Sequence, residues 1–301
     1  MQERTETKYR IDKCVEKILF ALPSVFSILF IILPLSIIFY VSLCKATISS
    51  PPYTNIVDIT DSSTVKITLN FGNYKKIICD PYYILSSLNS IFLSVIVTIF
   101  TVVIGLSMAY GLYKMQRVRK KIFVTLIYIS FWTSFLIRIY AWMSLLGKNG
   151  TINNLLMAGG IIKHPIQFIG NIYTTYFGMI ICYLPFVILP IHSRLETIDK
   201  IYIEASYDLG YTPTKTFWKV IIPLLRNAII TSCFFVFSMS IGEFAIPELL
   251  GDSSVLTFGK VLWNEFFTNL DWPMACSISI FVIVFILLPV YLLQNKMKHK
   301  E

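Results

Sequence analysis

Long apolar stretches separated by short basic segments set the pattern of this chain. Uncharged runs extend from Ile18 to Cys44, Tyr82 to Tyr113, Pro165 to Ile191 and Trp272 to Asn295. Each exceeds the ~20 residues that carry a helix across a bilayer. Two further runs, Ile122 to Gly147 and Asn227 to Pro247, hold one charge each, Arg138 and Glu243. The pattern predicts an all-α polytopic membrane protein with six transmembrane helices at about 18–44, 82–113, 122–147, 165–191, 227–247 and 272–295. A cytoplasmic N-terminal segment 1–17 precedes this 18–295 domain, and a cytoplasmic tail 296–301 follows it. Between the first two spans, Ser49-Ser50-Pro51-Pro52 and scattered polar residues interrupt the pattern, giving an extracytoplasmic insertion at 45–80.

Composition agrees with this reading, because 55% hydrophobic and 14% charged residues, with a mean hydropathy of +0.69, do not describe a soluble domain. Basic residues are retained on the cytoplasmic side in short loops. With the N-terminus inside, eighteen of the 26 Lys and Arg residues fall in inner segments, seven fall in outer loops, and Arg138 lies within a span. Both termini and the segment that holds Glu204 are therefore expected in the cytoplasm. The formal charge of +9 becomes a topology signal and not a sign of nucleic acid. The first apolar run is too long for the core of a cleavable signal and reads as a retained span. Six cysteines show no C-x-x-C spacing and read as small buried hydrophobes; Cys44 and Cys79 share the predicted outer face, and sequence leaves their pairing open. His164, His192 and His299 lack metal-ligand spacing, so no metal is expected.

The polar segment between the fourth and fifth spans, 194–226, carries the most specific chemistry. Asp199 can cap a short helix, Gly210 can supply a left-handed exit, and Thr212-Pro213 can cap and begin a second helix. Small residues Ala205, Ser206 and Gly210 would let another protein approach the backbone, and Glu204 would offer it a carboxylate. A plain amphipathic hairpin on the membrane, with Phe217, Trp218, Val220 and Ile221 as its apolar side, is the alternative for such a loop.

Glu204-Ala205-Ser206, three residues, Gly210, nine residues and Val220-Ile221-Ile222-Pro223 resemble the docking loop of ABC importer permeases. The resemblance extends over Asp80-Pro81-Tyr82-Tyr83, WTSFLIRIYAW from Trp132 to Trp142, GEFAIPELLG from Gly242 to Gly251, VLWNEFF from Val261 to Phe267, and Asp271-Trp272-Pro273. From about Phe71 to Pro289 the chain looks like the first permease subunit of polyamine (spermidine/putrescine) importers, closest to the putrescine-type member. That resemblance implies a type I ABC importer permease fold and a heterodimer with a second permease subunit. It also implies two copies of an ABC ATPase and an extracytoplasmic polyamine-binding protein. Glu204, Ala205, Ser206, Gly210 and Pro223 would then couple to the ATPase. The chain has no G-x-x-x-x-G-K-[ST] phosphate loop, so it reads as a non-catalytic subunit with no bound cofactor, ATP and Mg being used by the partner.

The intramembrane charges require compensation, since a charge at mid-span costs ~2.5–3.5 kcal/mol on insertion scales. Arg138 and Glu243 can pair with each other, or Arg138 can snorkel to the headgroups. Glu243 is followed by Glu248, Asp252, Glu265 and Asp271 against a single Lys260, an acidic mouth that favours cations. Carboxylates interleaved with rings suit ammonium groups separated by methylenes, which makes Glu243, Trp132, Tyr140, Trp142, Glu265, Asp271 and Trp272 candidates for a substrate pathway, with Trp263 a further ring. The interfacial aromatic belt is the competing account of the rings. Among alternatives, an ABC permease for iron or an anion shares the docking loop, whereas an ion-coupled secondary transporter would lack an ATPase partner.

Overall fold

The computed structural model of the chain describes residues 19, 21–54, 56–61, 64–252 and 255–298; for 57–61, 64–67 and 288–298 it describes the backbone alone. The expected N-terminal segment 1–17, Ile18 and Phe20 of the first span, Ser253 of the loop after the fifth span, and tail residues 299–301 lie outside the described residues. Two compact units are formed, one from the chain up to Ile78 with Asn264–Leu288, the other from Cys79–Trp263 with the last residues.

In the first unit, α1 (Ala21–Ser42) is apolar and exposed over nearly all its length, the surface a span offers to lipid. Among the described residues, the insertion is where strands depart from the all-α expectation. Val57–Asp61 (β1) pairs antiparallel with Thr64–Ile67 (β2), Val57 opposite Ile67, because V-D-I-T-D and T-V-K-I alternate apolar and polar residues with the strand period of two. Helix α2 (Gly72–Cys79) follows. Its buried Asn73 amide donates to the carbonyls of Ser42 and Cys44 at 3.5 and 3.4 Å, and the Tyr74 and Ser42 hydroxyls lie 2.7 Å apart. Ser277 donates to the Ser42 carbonyl at 3.1 Å, so the insertion is stitched to the end of α1 near a helix that begins at Trp272. Cys44 and Cys79 are both free thiols.

The second unit is built on α3 (Pro81–Lys114), α7 (Ile172–Glu196) and α10 (Arg226–Ile241), which pack against one another. Asp80 and Asn171 start the first two by accepting the Tyr82 and Tyr173 amides at 2.9 and 3.0 Å. Backbones approach closely where small residues face a neighbour, as membrane helices require in the absence of a hydrophobic drive between them. A Cβ on Gly105 would lie 2.7 Å from Val187 Cγ1. Leu93, Val97, Met179, Val187, Ile188 and Val236 form the surrounding core.

Between α3 and α7 lie α4 (Arg117–Trp132), α5 (Phe135–Leu146) and α6 (Thr151–Ala158). The third expected span, 122–147, is thus interrupted, with a bend of 101° between α4 and the Phe135–Ala158 stretch. The cause is local: Thr133 and Ser134 adopt extended ψ values of 145° and 137°, and Thr133 Oγ1 donates to the Ser130 carbonyl at 2.6 Å, the competition with helix that these hydroxyls offer. The docking segment supplies α8 (Lys200–Asp208) and α9 (Pro213–Leu224), with 70° between α9 and α10. The fifth expected span, 227–247, is shorter than anticipated, since α10 ends at Ile241 and a new helix, α11 (Ala245–Leu249), begins beyond Glu243; α12 (Phe258–Trp263) completes the unit. By length and composition α1, α3 and α7 can each cross a membrane and the two bent pairs qualify as pairs, while α13 (Trp272–Lys298) opens with the apolar stretch Trp272–Leu287.

Candidate functional site

The docking segment folds as its capping residues dictate. Asp199 Oδ1 accepts the Ile201 amide at 3.1 Å and starts α8. Gly210, at φ +75°, takes the left-handed conformation that ends it, while the Gly210 and Tyr211 amides close on the Tyr207 and Ser206 carbonyls at 2.8 and 3.0 Å. Thr212 Oγ1 accepts the Lys215 amide at 3.4 Å and Pro213 occupies the first turn of α9. Within α9 the backbone widens over Phe217–Ile221 and the Ile222 amide reaches the Phe217 carbonyl, which passes the position where Pro223 has no N–H to give.

Glu204, Ala205, Gly210 and Pro223 are exposed, flanked by Ile201, Tyr202, Leu209 and Trp218. Ser206 differs from the sequence expectation. Only 3% exposed, it is turned inward, where its hydroxyl donates to the Ile203 carbonyl at 2.7 Å and lies 2.9 Å from that of Thr216. Helical geometry accounts for this: Ser206 sits three residues after Ile203 on the face that packs on α9, so it offers no surface to a partner. Glu204 itself lines an open pocket of about 230 Å³ with Tyr110, Tyr113, Lys114, Lys200, Ile203, Tyr207 and Ile221. The segment is rooted in the unit by fully buried Ile221 and Leu225 and by Phe217, whose ring centroid is 4.6 Å from that of Tyr110 on α3.

A second polar constellation lies deep in the second unit. Glu243 Oε1 accepts the amides of Ala245 and Ile246 at 2.9 and 3.3 Å, capping α11, and Oε2 accepts the Tyr183 hydroxyl at 2.8 Å. Arg138 does not neutralise it. Nη1 of Arg138 donates to the Cys182 carbonyl at 3.2 Å, and the guanidinium lies 5.9 Å from the Phe135 ring centroid. Side-chain ion pairs of the second unit include Lys120–Glu196 at 2.8 Å and Lys260–Glu248 at 2.9 Å. Tyr183, fully buried and stacked 6.4 Å from Phe135, was the residue that apolar patterning concealed. The usable signal is its type, because a phenol deep in a span needs a hydrogen-bond partner.

The remaining candidates have distinct settings. Trp132 is 86% exposed and Tyr140 is exposed, while Trp142 meets Phe177 edge-on at 5.1 Å and Trp263 stacks on Phe244 at 4.5 Å. In the first unit, buried Glu265 accepts the Asn269 amide group at 2.9 Å, Asp271 Oδ1 caps α13 by accepting the Met274 amide at 2.9 Å, and Trp272 stacks on Phe266 at 5.1 Å.

Comparison with known proteins covers both constellations of the second unit. Residues 101–296 match the family described as "Binding-protein-dependent transport system inner membrane component". The chain is 31% identical over 250 residues to the spermidine/putrescine transport system permease protein PotB of Escherichia coli, covering 82% of this chain and 90% of that protein. It is 33% identical to the Haemophilus influenzae protein of the same name, over 77% and 82% of the two chains. Among solved structures, a chain of a bacterial alginate ABC transporter, in complex with its pentasaccharide-bound periplasmic protein, superposes with a TM-score of 0.72 over 97% of this chain and 96% of that one, at 14% identity. At that identity the likeness is one of fold.

Proposed function

This chain belongs to the family of binding-protein-dependent transport system inner membrane components, and we propose that it is the permease subunit of an ATP-driven importer that passes polyamines. The exposed Glu204-Ala205 pair beside a left-handed Gly210 carries the coupling half of this reading. Those residues stand at the family spacing on α8 and its exit turn, and α8 packs on α9, which is rooted to α3 through Phe217. The polyamine half rests on likeness to permeases named for spermidine and putrescine and on a half-buried carboxylate where α10 gives way to α11. The chain would pair with a second permease, and the heterodimer would be served from the cytoplasm by two ATPase copies. It would receive substrate from an extracytoplasmic binding protein, hold no cofactor itself, and leave ATP and Mg to the ATPase. The chain would lie in a bacterial cytoplasmic (inner) membrane, with six spans expected from its apolar runs and both termini cytoplasmic from the distribution of basic residues.

Substrate would pass near Glu243, Trp132, Tyr140 and Trp142 of the second unit; Glu265, Asp271 and Trp272 are the candidates within the first unit, taken by itself. The acids are not equivalent, because Glu248 is already paired with Lys260.

The test is assembly and stimulation. In a complex co-purified with its ATPase and second permease, Glu204→Lys and Gly210→Trp are expected to insert normally yet abolish hydrolysis stimulated by spermidine-loaded binding protein. Normal stimulation in assembled complexes carrying either change would reject the coupling role.

A further inference from the structure

The two helices of the docking segment are joined at one buried point. Ser206 has a single hydroxyl proton, and its geometry commits that proton to the Ile203 carbonyl at 2.7 Å. The 2.9 Å contact with Thr216 is then made by the Thr216 hydroxyl donating to Ser206 Oγ. A directed relay therefore runs from Thr216 through Ser206 to Ile203. Both hydroxyls are almost completely enclosed, Thr216 at 1% and Ser206 at 3% exposure, so water cannot replace either partner. The same residue also closes the turn between the helices, since the Ser206 carbonyl accepts the Tyr211 amide at 3.0 Å.

What the relay connects gives it a purpose. On one side, Glu204 and Ala205 are exposed neighbours of Ser206 on α8. On the other, Thr216 is followed by Phe217, which packs on Tyr110 of α3, and by Ile221, buried in the core. We propose that Ser206 and Thr216 are positioning residues: their hydroxyl relay locks α8 to α9, so that displacement of the exposed Glu204 helix is transmitted to α3 and α10 without the two helices slipping. Neither touches a partner. The proposal rests on the coupling role assigned to this loop and specifies how the loop stays rigid.

The hydroxyl chemistry separates this role from simple packing. Ser206→Ala leaves a buried donor on Thr216 without an acceptor, whereas Ser206→Ala with Thr216→Val removes both polar groups and nearly preserves shape. Thr216→Ser keeps the donor. The experiment measures uptake of labelled spermidine per ATP hydrolysed by the assembled importer in vesicles, normalised to the amount of complex. Ser206→Ala is expected to lower this ratio roughly fivefold or more, Thr216→Ser to hold it near the parent value, and the double change to be no worse than Ser206→Ala alone. A parent-like ratio in both Ser206→Ala and Thr216→Val would overturn the relay. So would losses that multiply in the double variant, or a fall in complex yield with an unchanged ratio, which would mark a purely structural role. If the unmutated complex hydrolyses ATP without responding to loaded binding protein, the importer reading itself fails, and that result is separate from any outcome in the variants.

Discussion

At residue scale, Glu243 is the group whose surroundings most change its interpretation. Its carboxylate is engaged at both oxygens, one on the start of α11 and one on Tyr183. Neutralising Arg138 in parallel should therefore rescue nothing, since the guanidinium donates to Cys182 instead. Gln at position 243 offers one oxygen for the two amides and an NH2 group that Tyr183 can meet as acceptor. Glu243→Gln thus removes charge while keeping the cap. We expect it to assemble at the parent level and to lose spermidine uptake in vesicles by about tenfold, as removal of one ion–ammonium contact of ~1.4 kcal/mol would do. Glu243→Leu, which leaves two amides and a phenol unpartnered at ~1–3 kcal/mol each, should assemble poorly. Parent-level uptake by the Gln variant would take Glu243 out of the cation pathway and leave it a structural cap.

At the scale of elements, local signals were legible and tertiary ones were not. Asp199, Gly210 and Thr212-Pro213 took the cap and turn positions expected of them, because capping is decided within four or five residues. The strand pair of the insertion was not anticipated, because an all-α reading treated 45–80 only as a polar interruption. Hidden from view were the breaks at Thr133-Ser134 and Gly242-Glu243, which sit inside continuous apolar runs where composition alone cannot distinguish one helix from two. Ser206 was misplaced for a related reason. Its small size suggested an approach surface, whereas which face of a nine-residue helix turns inward depends on Thr216, ten residues away. The Gly210 turn gives a measurable consequence. A Cβ there meets nothing within 4 Å, so the penalty for a side chain is its φ of +75°, about 1–2 kcal/mol for most residues and less for Asn. Stimulated ATP hydrolysis should accordingly fall in the order Gly210, Gly210→Asn, Gly210→Val, and equal rates for Asn and Val would show that the left-handed turn is not what the loop requires.

For the whole molecule, orientation links the charge distribution to the direction of transport. Lys114, Arg117, Arg119, Lys120 and Lys121 cluster where α3 gives way to α4, and Lys120 is tied to Glu196 at the far end of α7, close in sequence to the docking helix. This ion pair joins half-buried Lys120 to exposed Glu196 near the surface and contributes at most ~1 kcal/mol; its value is to show that two basic-flanked helix ends share one side. If basic loops stay inside, that side is cytoplasmic and Glu204 faces the compartment that holds ATP. Carboxylates beyond α10 then face the side from which a binding protein delivers a cation. The bent pair of α4 with α5 is the weak point of this topology, because a 101° bend suits a re-entrant loop as well as a broken span. Single cysteines at exposed Gln116 and Asn149, in a background without native thiols, bracket that bend. Labelling by a membrane-impermeant maleimide in intact cells should modify Asn149→Cys alone, and Gln116→Cys only after the membrane is opened. Modification of both from one side would convert the pair into a re-entrant loop and reverse the assignment of every later segment.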